Sequence, residues 1–182
     1  MVSTTQPIPM VGFVAGSGTG KTTLLLKIIP LMKQRGLRLG VIKHTHHQFD
    51  IDQPGKDSYR LRHAGADQTL VASRHRWALM VETTRLDEPN LDYLLPHFEP
   101  GKLDLILVEG FKHESFPKIE IHRPQLGRTP LFPQDPLIIA VACDAPPVVA
   151  THLPLLDMNQ PEEIVVFIER HIITRRIGKN SL

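Results

Sequence analysis

The sequence predicts an α/β fold: a doubly wound, mostly parallel sheet with additional antiparallel strands, formed as one domain over residues 1–182. Three observations predict it. Short apolar runs alternate with stretches of helical periodicity along most of the chain. The first run leads directly into the glycine-rich segment Ala15–Thr22, with a helical pattern after it. The unit from Met10 to Ile42 has the length of a βαβ crossover, roughly 30 residues.

Met10–Ala15 reads as a buried parallel strand. Over Lys21–Arg35, Leu24, Leu25, Ile28, Leu31 and Met32 recur at helical spacing; Pro30 removes one backbone donor and predicts a bend, and Gly36 is a natural stop. Leu37–Ile42 is the second strand. A polar, histidine-rich loop, Lys43–Lys56, and a short basic helix, Asp57–Ala64, follow. Gln68–Ser73 and Trp77–Thr84 flank the polar turn Arg74-His75-Arg76 and predict a hairpin or a sheet edge. A polar helix near Pro89–Phe98 precedes the most apolar strand, Leu103–Val108. Lys118–His122 alternates Ile119 and Ile121 with polar residues, the pattern of a half-exposed strand, and the four prolines of Pro124–Pro136 predict a loop. Leu137–Ala142 is another buried strand, and Asn159 with Glu162 forms an N-cap pair for a last helix, Pro161–Ile173.

Composition narrows the class. Hydrophobic residues make up 41% of the 182 and charged residues 22%, values of a globular protein rather than a disordered one. A net charge of +2 is compatible with anionic ligands and points to neither nucleic acid nor membrane. The lone cysteine, Cys143, excludes an intramolecular disulfide and reads as a packed small residue. The polar start of the chain does not resemble a secretory signal, and no apolar stretch reaches the length of a membrane span, so the cytoplasm is expected.

Ala15-Gly16-Ser17-Gly18-Thr19-Gly20-Lys21-Thr22 matches the phosphate-loop pattern G-x-x-x-x-G-K-[ST], with Ala15 in place of the first glycine. Backbone amides from Ala15 to Thr23 are expected to form an anion nest, joined by the helix N-terminus. Lys21 is expected to neutralise the β- and γ-phosphates of a nucleoside triphosphate, and the Thr22 hydroxyl to ligate Mg²⁺. This motif makes the predicted sheet that of a P-loop NTPase. Downstream, Leu103–Val108 ends in Glu109, where a sheet would deliver an acid to the Mg²⁺. Glutamate in place of aspartate favours orientation of a metal-bound water over direct contact. Lys21 and Glu109 are therefore the candidate catalytic pair, and Thr22 and Glu109 the candidate magnesium residues.

Lys43-His44-Thr45-His46-His47, with Asp50, Asp52 and Asp57 beyond, leaves the second strand at the same edge. It admits three readings: a switch-like loop sensing the γ-phosphate or Mg²⁺, a transition-metal site, or a solvated polar loop. Asp144, after the strand Leu137–Ala142, reads either as an acceptor for the N1–H and 2-amino group of guanine or as a turn cap. Trp77 reads as core or interface rather than a stacking platform.

With these residues in hand, the chain resembles the molybdopterin-guanine dinucleotide biosynthesis adapter family, MobB, from about Val11 to Ile168. The resemblance rests on Gly-Thr-Gly-Lys-Thr-Thr at 18–23, Lys-His-Thr-His-His at 43–47 and Pro-Gly-Lys-Asp-Ser-Tyr at 54–59. It extends through Ala-Gly-Ala at 64–66, Arg-Trp-Ala-Leu-Met at 76–80 and Leu-Asp-Leu-Ile-Leu-Val-Glu-Gly-Phe-Lys-His at 103–113. It implies GTP binding with Mg²⁺, a slow GTPase, and a homodimer whose sheet continues between subunits. It also implies work beside the guanylyltransferase that attaches GMP to molybdopterin. A nickel-delivery GTPase, a small-molecule kinase and a non-catalytic nucleotide-binding module are the alternatives on the residues alone.

Overall fold

The computed structural model describes residues 7–45, 49–83 and 88–174. The chain divides into two compact units, Met1–His44 with Asn90–Leu182, and Thr45–Pro89.

The first unit is built on a six-stranded sheet of β1 (Met10–Val14), β2 (Leu39–Lys43), β5 (Leu105–Glu109), β6 (Lys118–His122), β7 (Ile138–Cys143) and β8 (Leu155–Asp157). Their order across the sheet is β2-β5-β1-β6-β7-β8, and every pairing is parallel. Side chains alternate across each strand, so β1 sends Val11 and Phe13 to one face and Met10 to the other. Helices α1 (Lys21–Gln34) and α4 (Pro161–Ile168) cover the first face, where Ile28, Met32, Ile164 and Ile168 pack on Phe13, Leu107 and Ile119. The other face is closed by α3 (Leu91–Leu94) and Phe98, with Leu91, Ile106, Val108 and Phe116 at its core. The sheet is thus wound on both sides, as expected.

α1 runs through Pro30 to Gln34. The carbonyl that loses its partner belongs to Leu26, a residue exposed to solvent. After α1, Gly36 has φ 82, a left-handed conformation that glycine adopts without a Cβ penalty.

Three local expectations are corrected. All five residues of β6 are buried, rather than half-exposed. The segment 123–137 folds back over its polar face and supplies partners: Glu120 accepts the backbone N–H groups of Leu131 and Phe132, both at 2.8 Å, and Lys118 Nζ donates to Asp135 Oδ2 at 2.8 Å. Asn159 does not cap α4. Its own amide donates to Asp157 Oδ1, and Gln160 occupies the cap position without a side-chain bond. α4 ends at Ile168 and continues to Ile173 as a π-helical turn.

Gly12 marks a close approach on the second face. A Cβ there would stand 2.3 Å from Phe116 Cε2 and 3.3 Å from Lys118 Cγ. Gly12→Ala is therefore expected to cost about 1–3 kcal/mol by forcing the buried ring aside. Chemical denaturation checks it, and an unchanged midpoint would refute the packing argument.

The second unit holds α2 (Asp57–His63) and the antiparallel hairpin β3 (Gln68–Ala72) and β4 (Trp77–Val81), a separate two-stranded sheet. Ser73 closes the turn: its amide donates to the Arg76 carbonyl, and its hydroxyl oxygen accepts from the amides of His75 and Arg76. Arg62 ties α2 to both flanks, with Nη2 2.6 Å from Asp50 Oδ1 and Nη1 3.0 Å from Glu82 Oε1. Leu70, Trp77 and Leu79 of the hairpin are exposed.

Candidate nucleotide-binding site

Because the sheet is parallel, the C-terminal ends of β1, β2, β5, β6 and β7 share one edge. The chain winds from β1 to one side through β2 and β5 and to the other through β6 and β7, so the edge beside β1 is the switch point where ligands bind in such sheets.

Residues 15–20 form the loop between β1 and α1. Gly18 and Gly20 have φ 74 and 100, so the loop requires glycine at both positions. Thr19 is buried and its hydroxyl donates to the Gly16 carbonyl at 2.7 Å, closing the loop on itself. Ser17, Gly18, Thr22 and Thr23 are exposed at its mouth, and Ala15 and Gly16 are half-buried at its base. Lys21 reaches back so that Nζ donates to the carbonyls of Ala15 and Gly16, both at 3.3 Å. Burial pushes the Lys21 ammonium below the ordinary lysine range; Glu109 opposes this, while Arg128 and Lys43 add to it.

Glu109 ends β5 and is nearly buried. Its Oε1 accepts the Thr22 hydroxyl at 2.8 Å, and its Oε2 lies 3.4 Å from Lys43 Nζ at the end of β2. The structure thus joins Lys43, Thr22 and Glu109 in one cluster. A hydroxyl and a carboxylate in contact form an all-oxygen donor pair of the kind a hard cation takes alongside waters and phosphate oxygens, so these residues fit Mg²⁺.

The turn after Glu109 is tight. Gly110 has φ 101 and Phe111 φ 52, and a Cβ on Gly110 would stand 2.8 Å from the Cβ of His44. His44 donates its amide to the Glu109 carbonyl at 2.9 Å and packs its ring on Phe111 at 4.8 Å. The start of the histidine loop is therefore fastened to the strand that carries the acid. His46 and His47 lie outside the described residues. Asp50 and Asp52 belong to the second unit: Asp50 pairs with Arg62, and Asp52 accepts from the Ser58 hydroxyl at 3.0 Å. Asp57 forms a 3.8 Å pair with Arg60. Among the described residues, no group of three His, Cys, Asp or Glu side chains is placed to hold a metal ion.

Asp144 follows β7 at the same edge. Its Oδ2 accepts from Gln125 Nε2 at 2.6 Å and lies 3.3 Å from Arg123 Nη1, whereas Oδ1 is buried without a hydrogen-bond partner. Cys143 is buried, which pushes its thiol up and fits a packed residue.

Two residues that sequence reasoning missed join the site. Arg123 Nε donates to the Thr19 carbonyl at 3.1 Å, linking the phosphate loop to Asp144. Arg128 lies against Gly16, with Nη1 2.6 Å from where a Cβ would sit. Both belong to the segment after β6, which composition marks only as a proline-rich loop. No spacing rule points a loop arginine at a distant glycine.

The profile of the family described as MobB, molybdopterin guanine dinucleotide synthesis protein B, matches residues 10–144. The chain is 52% identical over 162 residues to the molybdopterin-guanine dinucleotide biosynthesis adapter protein of Escherichia coli K12, covering 88% of this chain and 91% of the relative. It is 44% identical to the protein of the same description from Haemophilus influenzae, covering 89% and 88%. A crystal structure of Bacillus subtilis MobB superposes with a TM-score of 0.68 at 26% identity, covering 91% of this chain and 98% of that one. Sequence and fold agree: the chain belongs to the MobB family.

Proposed function

We propose that this chain is a GTP-binding adapter in the biosynthesis of molybdopterin guanine dinucleotide, with slow Mg²⁺-dependent GTPase activity. The observation that carries the proposal is the 2.8 Å hydrogen bond from Thr22 to Glu109, which joins the start of α1 to the end of β5 beside the phosphate loop. Loop amides and Lys21 hold the phosphates, and Arg128 adds a second cation beside Gly16. When bound, Mg²⁺ supplies charge neutralisation across the β- and γ-phosphate oxygens. Thr22 offers it a hydroxyl ligand, and Glu109 fixes the orientation of that hydroxyl. Lys43 restrains Glu109 in turn. Titrating GTP, GDP and ATP with and without Mg²⁺ tests the reading: GTP should bind more tightly than ATP and gain from the metal. Absence of triphosphate binding would overturn it.

The guanylyltransferase that joins GMP to molybdopterin is the proposed partner enzyme, and molybdopterin the shared substrate. A homodimer formed through the exposed hairpin of the second unit is part of the proposal, because Leu70 and Trp77 remain 60% and 63% exposed. Among the described residues no helix is long and apolar enough to cross a membrane. A cytoplasmic setting is part of the proposal.

Base selection is assigned to Asp144. Arg123 and Gln125 hold one carboxylate oxygen, and Oδ1 is buried without a partner, so accepting from guanine requires the carboxylate to turn outward. Asp144→Asn changes the acceptor pattern toward that suited to xanthine. The variant is expected to lose GTP affinity and gain XTP affinity, with ATP nearly unmoved. Titration of the three nucleotides at one Mg²⁺ concentration checks this, and an unchanged GTP to XTP ratio removes Asp144 from the role.

A further inference from the structure

At the end of β1, next to the phosphate loop but lined by none of its residues, the second face of the sheet holds a cavity of about 280 Å³ whose walls include Val14, Lys112, His113, Lys118, Gln134 and Asp135. Its volume suits a small ligand rather than a single water. The side chain of Lys118 is only 2% exposed. A lysine so buried is uncommon, because desolvation of the ammonium is costly unless acceptors replace water. An ammonium carries three donors. One goes to Asp135 Oδ2 at 2.8 Å, and the Phe116 ring lies 5.4 Å away as a weaker cation–π partner. Asp135 also accepts the Leu137 amide at 2.9 Å, so its carboxylate is largely occupied within the wall.

The remaining lining is rich in donors. Lys112 and His113 are exposed at the rim, and Gln134 adds an amide. One carboxylate faces two lysines and a histidine, so the cavity carries a surplus of positive charge. Val14, Leu131 and Leu137 supply an apolar wall. Cationic donors on one side and aliphatic surface on the other match a phosphate monoester on a small ring or chain. The phosphate would take the free donors of Lys118 and those of Lys112 and His113, and the organic part would lie on the leucines.

We infer that this cavity is a second ligand site, distinct from the phosphate loop, for a small molecule bearing a phosphate monoester. The inference does not rest on the identity of the nucleotide at the loop. Lys118 anchors the ligand, and Asp135 orients Lys118.

Phenyl phosphate is the probe, titrated calorimetrically into full-length protein carrying Lys21→Ala, which weakens phosphate capture at the loop. Binding should persist in that protein. Adding Lys118→Met should weaken it by about tenfold or more, the loss expected for a charge-assisted bond. Benzoate, of similar shape and lower charge, should bind more weakly than phenyl phosphate. Melting temperature and far-ultraviolet circular dichroism report whether each variant is folded. If Lys118→Met does not fold, the rim pair Lys112→Ala with His113→Ala provides the same reading at lower structural cost. No phenyl phosphate binding in the Lys21→Ala protein would overturn the inference and leave Lys118–Asp135 as a pin for the segment above it. Affinity that ignores both Lys118 and the rim, or equal affinity for benzoate, would overturn it as well.

Discussion

Lys21→Ala is expected to lower GTP affinity about tenfold to a hundredfold, the range for removing a charge-assisted hydrogen bond of roughly 1.5–3 kcal/mol. In the free protein the lysine rests on two carbonyls of its own loop at 3.3 Å, long bonds that are readily exchanged for phosphate oxygens. The variant should fold normally, since the side chain arches over the loop and fills no core. A pH series offers an independent reading of the same residue. Burial and neighbouring cations hold the Lys21 pKa below its ordinary value in the free protein, and phosphate binding favours the charged form. Affinity should therefore be full below the lowered pKa and fall as pH rises through it. In Lys21→Ala this decline should vanish. Equal GTP affinity in both proteins would remove the loop from the proposed chemistry.

Glu109→Gln is expected to reduce single-turnover GTP hydrolysis by one to two orders of magnitude, an estimate from losing the charged partner that organises Thr22. The amide is nearly the same shape, so packing in β5 is preserved. What changes is charge: Lys43 loses its 3.4 Å partner, and the Thr22 hydroxyl is held by a neutral oxygen. Metal-free GDP binding should change little, because Lys21 rests on the Ala15 and Gly16 carbonyls and Glu109 acts on it only through its charge. Melting temperature measured beside the rate separates this from a structural role. A wild-type rate in the folded variant excludes Glu109 from the metal site.

The parts of the site that lie close together in sequence were legible. The loop from Ala15 to Thr23 declares itself because glycine freedom, a lysine and a hydroxyl must sit at fixed spacing between a strand and a helix. Glu109 was legible because an uninterrupted apolar strand delivers it. Gln68–Ser73 and Trp77–Thr84 were legible as two strands about a polar turn, and of the two readings, hairpin or sheet edge, the structure has the hairpin. The remainder depends on tertiary placement. Glu120 and Lys118 read as solvent-facing because their partners, the Leu131 and Phe132 amides and Asp135, come from a segment with no regular pattern of its own. Arg123 and Arg128 reach the loop only because that same segment turns back. β8 has three residues, too few for alternation to register. Asn159 had a capping sequence, but α4 begins at Pro161, so the cap position falls one residue later, on Gln160.

The second unit interrupts the first in sequence: Thr45–Pro89 stands between β2 and β5 of the sheet, to which it contributes no strand. Pairing of β2 with β5 must therefore close a long loop, as the Arg38–Asp104 contact beside that pairing spans 66 positions. Loop-closure entropy grows only logarithmically, about 0.6 kcal/mol for each doubling of length, so the interruption adds little to the equilibrium cost. Its effect falls on the route. β1 and α1 are consecutive in the chain, but the partners flanking β1, namely β5 and β6, arrive only after the interrupting segment. If the hairpin and α2 collapse first, the effective loop shortens and β2 meets β5 sooner. A collapsed insert then limits the kinetic delay that it imposes on a sheet in which it has no strand.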